Sequence, residues 1–410
     1  LNRRQGKEPV VYPSKDLELA LGRTLGVPVF QEQVMQVAIL AAGFTPGEAD
    51  GLRRAMAAWK RKGGLEKYYG KIVDGMTARG YEQAFAESIF EQIKGFSEYG
   101  FPESHSASFA LLVYASSWIK CHEPAAFLAA LLNSQPLGFY SSSQLVQDAR
   151  RHGVQVRPVD VMHSDVESTL EDLPEVPAVR LGLHMVRGLQ SRSAERIVQE
   201  RSRAPFNSAE DLARRCHLEL HEMKLLAAAG ALQSLAGHRR QQVWEAAALR
   251  AVPELLHDAP VDEEVLELEE AQEGEEVLWD FASVGLTLRS HPMALLRAQL
   301  ERYRLRTSEQ LRQVPNGRIV RTAGIVTVRQ QPQTAGGTVF VSLEDEYGSI
   351  QVIVWRGVRE AQREVLLGAR LLAVKGRWQR EGEVCNLIAE KLADLSPLLG
   401  RLATQSRDFR

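Results

Sequence analysis

Residues 45–105 constrain the fold of this chain most, because they hold two strongly marked helix starts with a basic run between them. At the first start, Thr45 suits the N-cap, Pro46 suits the first helical position, and Glu48 completes a capping box. At the second, Ser104 follows a Tyr-Gly-Phe-Pro turn and can cap a long helix. These signals predict a helical domain at the beginning of the chain.

Both helix starts carry cationic or donor side chains where free N–H groups and the helix dipole already favour an anion. The pattern predicts that they hold the phosphates of a nucleotide. The candidate nucleotide-binding residues are Arg53, Arg54, Ser104, His105 and Ser106. The basic run adds candidate DNA contacts at Lys60, Arg61 and Lys62. The second start is also rich in small residues, and for these alone close helix packing is favoured over the flat approach of a partner.

Length and composition limit the class of protein. A chain of 410 residues predicts two to four domains. Its 44% hydrophobic and 25% charged content is typical of a soluble globular protein, and no apolar run approaches the roughly 20 residues that span a bilayer. Three scattered cysteines and no signal peptide predict a reducing cytoplasm, and the missing initial Met predicts a fragment.

The net charge of −2 hides a segregation of charge. Residues 252–280 contain twelve Asp or Glu and no Lys or Arg, whereas residues 50–72 contain seven Lys or Arg and two acids. The acidic stretch has few apolar residues, so it predicts a solvated, partly disordered linker. A docking segment for a basic partner is the alternative.

Residues 180–198 have the pattern of a helical hairpin with a glycine-containing turn. Such a turn lets backbone N–H groups approach a DNA phosphate without reading the bases. The candidate residues are Gly182, Arg187 and Gly188. A second helical pair follows over residues 208–232. Ordinary helix pairing and DNA contact are equally compatible with this pattern.

Beyond residue 317 the chain becomes β-rich. Five short segments with a helix after the third predict an OB-fold barrel. These segments are residues 318–329, 338–344, 349–355, 370–380 and 383–395, with the helix over 357–367. On the fourth, Arg377, Trp378 and Arg380 predict single-strand binding by stacking and phosphate contact. Trp378 fits the barrel core equally well, and for Phe340 the core is favoured.

Catalytic and metal-binding motifs are missing. Cys216, His217 and His221 form the nearest cluster, but it lacks a second ligand pair at zinc spacing, so a structural role is favoured. The sequence has no Walker loop, no Gly-x-Ser-x-Gly elbow, and no strand with an Asp-x-Asp pair for metal-assisted phosphoryl transfer.

Three blocks closely resemble, in the right order, the fingers domain of C-family bacterial polymerases, the DNA polymerase III alpha subunits. They are FQEQVMQ at 30–36, DGLRRAM at 50–56 and GFPESHSASFA at 100–110. Residues 53–64, 131–136 and 406–410 look like the error-prone branch, called ImuC. The resemblance covers essentially the whole chain, with 180–232 similar to the helix-hairpin-helix region and 317–395 similar to the OB domain.

The resemblance implies a multidomain fold, mainly helical fingers and helix-hairpin-helix modules followed by an OB-fold β-barrel. The expected divisions are fingers 1–160, helix-hairpin-helix module 161–250, acidic linker and connecting helices 251–316, OB domain 317–396 and tail 397–410. It also implies that Arg53, Arg54 and His105 face the triphosphate of an incoming deoxynucleotide, and that the Ser104–Ala110 helix start stacks near the nascent base pair.

The activity implied for the full-length protein is that of an error-prone translesion DNA polymerase, a nucleotidyltransferase that uses Mg²⁺. The family's metal-binding palm and its PHP domain are expected to be absent here, so this fragment should be inactive alone. The implied partners are DNA, a deoxynucleoside triphosphate and an ImuB-like clamp-binding protein. The resemblance implies no contact with a membrane and a location in the bacterial cytoplasm. Residues 252–280 lack the clamp-binding motif of replicative alpha subunits. The alternatives are a replicative alpha fragment, or a non-catalytic OB and hairpin module whose main role is mutasome protein docking.

Overall fold

The computed structural model describes residues 2–62, 65–96, 102–138, 140–173, 177–249, 267–332, 335–402 and 406–409, without the side chains of 57–62, 95–96, 407 and 409. The chain divides into two compact units, Leu1–Trp118 and Ile119–Arg410. The boundary falls within the helix that begins at Glu103.

The first unit is helical, as its helix signals predict. Its helices are α1 (Lys15–Leu21), α2 (Gln31–Leu40), α3 (Pro46–Lys62), α4 (Tyr69–Thr77), α5 (Gln83–Phe96) and α6 (Glu103–His122), which continues into the second unit. One apolar core joins α1 to α5 and contains Leu17, Val34, Leu52, Ile72 and Ile93. The predicted capping box is confirmed, since the Thr45 amide donates to Glu48 Oε2 at 2.9 Å and the Glu48 amide to Thr45 Oγ1 at 3.4 Å.

The second unit begins with helices around a small sheet. Its first elements are α7 (Pro124–Asn133), α8 (Ser142–Arg151), β1 (Val156–Arg157), β2 (Thr169–Glu171) and β3 (Ala178–Arg180), with β3 between β1 and β2. Five helices follow: α9 (Ser191–Arg203), α10 (Ala209–Arg215), α11 (Leu220–Ala228), α12 (Gln233–Ala236) and α13 (Arg239–Ala248). A single apolar core joins α7, the small sheet and the helices α9 to α13. Packing against this core explains why such short helices are stable here.

The acidic stretch is only partly a linker. Residues 250–266 lie outside the described residues, but α14 (Glu273–Ser283) is an ordered helix. Its Val277 is buried, and so are Glu276 and Asp280. Both carboxylates pair with Arg239 of α13. The expectation of a solvated connector is therefore wrong for 273–280, because a buried cation compensates the acidic charge. Helices α15 (Pro292–Leu300) and α16 (Ser308–Arg312) follow.

The last part is a closed five-stranded barrel, which confirms the predicted fold class. Its strands are β4 (Ile319–Gln330), β5 (Val339–Asp345), β6 (Gly348–Val354), β7 (Leu371–Glu381) and β8 (Val384–Asp394), with α17 (Arg356–Ala361) and α18 (Arg363–Gly368) after the third. The order β5-β6-β8-β7-β4 closes through the β4–β5 pairing. A short β9 (Arg407–Phe409) adds a parallel edge to β4, and it was not expected from the sequence.

Candidate nucleotide and nucleic-acid interfaces

The first predicted anion site lies on the exposed side of α3. Arg53 Nε donates to Asp50 Oδ1 at 2.9 Å, and Arg54 Nε lies 3.1 Å from Asp50 Oδ2. The two arginine side chains are 40% and 70% exposed. An exposed ion pair contributes only about 0–1 kcal/mol, so either guanidinium can exchange the carboxylate for a phosphate at little cost. Sequence reasoning assigned no role to Asp50, although its spacing from both arginines on one helix would have suggested one.

The start of α3 is fixed by a separate set of contacts. Glu48 accepts hydrogen bonds from the Thr45 amide and hydroxyl and forms an ion pair with Lys71. The Lys71 contact, followed by the Thr45 hydrogen bonds, lowers the pKa of Glu48 to about 2. Lys71 also lies over the Phe44 ring, 5.0 Å from its centroid. The helix that presents Arg53 and Arg54 is therefore anchored independently of them.

The basic run at the end of α3 lies outside the described side chains. Lys60, Arg61 and Lys62 belong to the helix as a backbone element, but the structure does not describe their side chains. Their predicted contact with DNA stays a prediction.

The second predicted anion site, at the start of α6, already receives one carboxylate. The Glu103 amide donates to Glu32 Oε2 at 2.9 Å, while the Glu103 carboxylate pairs with Arg23. Ser104 and His105 are exposed, Ser106 is half-buried, and α6 contains no buried side chain. The close helix packing favoured from sequence is therefore not seen, and the small residues of the first turns remain accessible.

The described contacts of Arg53 and Arg54 end at Asp50, whereas the His105 ring packs against Phe109 with centroids 4.4 Å apart. Among the described residues, neither arginine forms a hydrogen bond or an ion pair with the start of α6. Convergence of Arg53, Arg54, Ser104, His105 and Ser106 on one nucleotide stays a prediction.

The hairpin region corrects one of its three predicted DNA contacts, that of Gly182. The Gly182 amide donates to Ser168 Oγ at 3.2 Å, and a Cβ at Gly182 would lie 2.3 Å from the Glu167 carbonyl carbon. Gly182 therefore permits close packing of two backbone segments rather than contact with DNA. Arg187 Nη1 donates to the carbonyls of Phe281 and Ala282 at 3.0 and 3.3 Å, so this guanidinium fastens the turn to α14. Because Arg187 remains exposed, its contact with DNA stays a prediction.

Gly188 keeps the geometry that the prediction needs. It is exposed and has φ +84°, a left-handed conformation that suits glycine in a tight turn. Helix α9 begins three residues later, with an exposed Arg192 in its first turn. A cation beside a glycine turn and a helix N-terminus favours a phosphate, and sequence reasoning missed Arg192.

The barrel also changes the assignment of its aromatic residues. Trp378 is 3% exposed and packs in the barrel core, so the predicted stacking role is wrong. Phe340 is half-buried on the outside of β5, which corrects the favoured core assignment, and Trp355 is 54% exposed after β6. Arg377 Nη1 donates to the Gly317 carbonyl at 3.1 Å, and Arg380 Nη1 to the Arg312 carbonyl at 3.0 Å. Both arginines hold loops while remaining exposed, so their contact with DNA is untested.

Of the cluster Cys216, His217 and His221, only Cys216 is buried. Cys216 is buried in the helical core, and burial raises the pKa of its thiol to about 11. Across the described residues, no group of three or more His, Cys, Asp or Glu side chains could hold a metal ion. Within the same residues, no helix combines the length and apolar character needed to cross a bilayer.

Comparison with protein families finds three matches along the chain. Residues 1–80 match the bacterial DNA polymerase III alpha subunit finger domain. Residues 153–242 match a helix-hairpin-helix motif. Residues 320–395 match an OB-fold nucleic acid binding domain. The order of the three matches is the order predicted from the sequence.

Curated relatives align along the whole chain. The error-prone DNA polymerase of Alkalilimnicola ehrlichii is 54% identical over 410 residues, and that of Bordetella parapertussis is 56% identical over 417 residues. In both cases the alignment includes 100% of this chain and 40% of the relative. The chain therefore spans about two-fifths of the length of these relatives. With the three domain matches, this places the chain, as a segment, in the family of bacterial DNA polymerase III alpha-like polymerases, in its error-prone branch.

Proposed function

We propose that this chain supplies the nucleotide-positioning fingers and the DNA-holding modules of an error-prone DNA polymerase that copies damaged templates. The observation that carries the proposal is the pair Arg53 and Arg54 on α3, held by one exposed carboxylate within the region that matches a polymerase finger domain. Their charge can neutralise and orient a triphosphate through charge-assisted hydrogen bonds.

The described residues do not fit a catalytic metal site, since no group of three or more His, Cys, Asp or Glu side chains among them could hold a metal ion. The Mg²⁺ that the resemblance implies therefore has no set of ligands in the described part of the chain. The part played by this chain is binding and orientation: the arginines hold the triphosphate, and the exposed small side chains of α6 leave room for the nascent base pair. Both actions lower the barrier by placing reactants rather than by transferring protons.

The test is steady-state primer extension by the full-length polymerase carrying Arg54→Ala, with Arg4→Ala as the matched control. Arg4 is exposed and lies outside the proposed site. A lost hydrogen bond to a charged group costs about 1.5–3 kcal/mol, so kcat/KM for the nucleotide should fall roughly tenfold to a hundredfold. The melting temperature should not change, because Arg54 is 70% exposed. Normal kinetics for Arg54→Ala would remove the proposed role.

The translesion part of the proposal has its own measurement. Full-length protein should extend a primer past an abasic template position and should misincorporate on an intact template. The names of the relatives, error-prone DNA polymerases, support this expectation. A polymerase that stops at the abasic position and copies the intact template accurately would contradict it.

We also propose that the chain reaches the sliding clamp through an ImuB-like partner rather than directly. The absence of a clamp-binding motif in residues 252–280 supports this arrangement, and exposed Trp355 offers the barrel a surface for a protein contact. A pull-down with immobilised clamp should recover this chain only when the partner is added. Recovery without the partner would instead favour the replicative alpha alternative.

A further inference from the structure

A row of three cations crosses the outside of the barrel where β4, β7 and β8 lie side by side. Arg321 is directly opposite Lys375, and Lys375 is directly opposite Lys391. All three residues are exposed. Neighbouring strands lie about 4.7–4.9 Å apart, so the row places three positive charges across roughly 10 Å. These three residues are called the basic row.

The basic row has no acidic partner among the described residues. None of its three side chains forms a hydrogen bond or an ion pair there. Like charges directly opposite each other destabilise a sheet. The arrangement therefore leaves three neighbouring cations without an ion-pair partner, and an anionic partner would relieve their repulsion.

A groove of about 400 Å³ borders the basic row. Leu305 and Leu395 line it, together with Tyr303, which is 50% exposed. The segment that carries Tyr303 is held against β4, because the Arg306 amide donates to the Arg321 carbonyl at 2.9 Å and Thr322 Oγ1 donates to the Arg306 carbonyl at 2.8 Å. Apolar surface and an accessible aromatic ring thus lie beside the cations.

The strands that OB-folds generally use for oligonucleotides have a different composition here. That face is formed by strands two and three, which are β5 and β6 in this barrel. Their outward positions contain no Lys or Arg: Phe340, Ser342, Glu344, Ser349, Gln351 and Ile353. This face offers an aromatic ring but no cation on its strands. The charge for holding phosphates lies on β4, β7 and β8.

We propose that the basic row binds the phosphates of a single DNA strand and that Tyr303 and its groove receive a base. The combination of a cationic track with an aromatic ring is the chemistry of single-strand binding, and a duplex would keep its bases out of the groove. This inference rests on the proposed DNA-holding function and assigns it to residues that lie within the matched OB-fold domain, with Tyr303 outside it, and that no sequence motif singles out.

The experiment measures binding of a fluorescent oligothymidylate to the whole chain by anisotropy across a salt series. The variant is Arg321→Gln, Lys375→Gln, Lys391→Gln. The matched control is Arg4→Gln, Arg363→Gln, Arg401→Gln, which removes the same charge from exposed arginines outside the row. Each phosphate contact contributes about 0.7 to the salt slope for single strands, so the row variant should lose about 2 from its slope and bind at least roughly tenfold more weakly at low salt. Lys391→Arg should bind like the parent chain.

Three outcomes separate this inference from the function on which it rests. If the row variant loses affinity and slope while the control keeps them, the inference is supported. If the parent binds DNA and the row variant matches it in affinity and slope, the basic row is excluded but DNA holding survives. If the parent binds no DNA, or binds polyglutamate more tightly than oligothymidylate, both the row and DNA holding by the barrel are overturned. Thermal unfolding supplies the folding check, because removing three mutually repelling charges should not lower the melting temperature.

Discussion

Asp50 on α3 and Asp280 on α14 each hold two arginines, but in opposite surroundings. Asp50 pairs with Arg53 and Arg54, and the three side chains are 39–70% exposed. Asp280 pairs with Arg239 and Arg289, and the side chains of Asp280 and Arg239 are only 11% and 6% exposed. The Asp280 carboxylate also accepts a hydrogen bond from Thr287 Oγ1 at 2.6 Å.

The difference determines what each arginine can do. Water solvates the Asp50 pairs, so phosphate can replace carboxylate with little change in free energy. Arg239 instead lies against Asp280, Glu276 and the Glu276 carbonyl, and its side chain is only 6% exposed, so a phosphate that replaced these partners would have to break a buried set of contacts. The same pair of side-chain types thus forms an exposed pair on α3, where nucleotide binding is proposed, and a fixed joint between α13 and α14.

The largest effect is expected at the buried joint. Arg239→Met removes the buried cation from two buried carboxylates and leaves them only the partly exposed Arg289, so the free energy of unfolding of the chain should fall by up to about 3–5 kcal/mol in urea denaturation. Arg240→Gln is the matched control on the same helix, since its partner Glu275 and Arg240 are 56% and 41% exposed. The control should lose less than about 1 kcal/mol. An equal loss of free energy of unfolding for the two variants would show that burial does not determine how much an ion pair stabilises this chain.

The contrast also explains what the sequence could predict. Capping and strand alternation are local signals, so the start of α3 and all five barrel strands were predicted to within a few residues. The joint was not, because Asp280 lies 41 residues from Arg239 along the chain and sits in a run that looks like an acidic linker. No local sequence pattern indicates an ion-pair partner so far away along the chain.

Trp378 shows a second limit of local reasoning. Its charged neighbours suggested an exposed surface, but Val374, Gly376 and Trp378 share one face of β7, and that face is buried. The alternation of inward and outward positions along the strand predicts that Trp378 is buried. It is a better guide to burial here than the charge of the adjacent residues. The basic row was missed for a related reason. Arg321, Lys375 and Lys391 are far apart in sequence, and only the strand register brings them together.

An intermediate effect is expected at Asp50. Asp50→Asn should leave the free energy of unfolding within about 1 kcal/mol of the parent, because the pairs are exposed. It should lower kcat/KM of the full-length polymerase for nucleotide about fivefold, less than Arg54→Ala does. The reason is that Asp50 restricts both guanidinium groups to one place before the exchange, so less rotamer freedom is lost when the triphosphate replaces the carboxylate. Primer extension with both variants measures which of them has the larger effect on kcat/KM. An unchanged kcat/KM for Asp50→Asn would mean that Asp50 does not position Arg53 and Arg54 for the nucleotide.

The smallest effect belongs to Glu48, whose ion pair with Lys71 is also exposed, at 41% and 45%. The Lys71 contact and the Thr45 hydrogen bonds lower the pKa of Glu48 from 4.5 to about 2. A depressed pKa in the folded state stabilises the fold above the unfolded value and loses that contribution as the pH falls from about 4.5 toward 2. The difference in melting temperature between the parent and Glu48→Gln should therefore be small and constant above pH 5 and should shrink below pH 4.5. Lys71→Met removes the largest cause of the lowered pKa of Glu48. In that background, the pH range over which Glu48→Gln changes the melting temperature difference should become narrower. A difference that stays constant down to pH 2.5 would mean that the contact does not hold the ionised carboxylate, and that the start of α3 depends on the Thr45 cap alone.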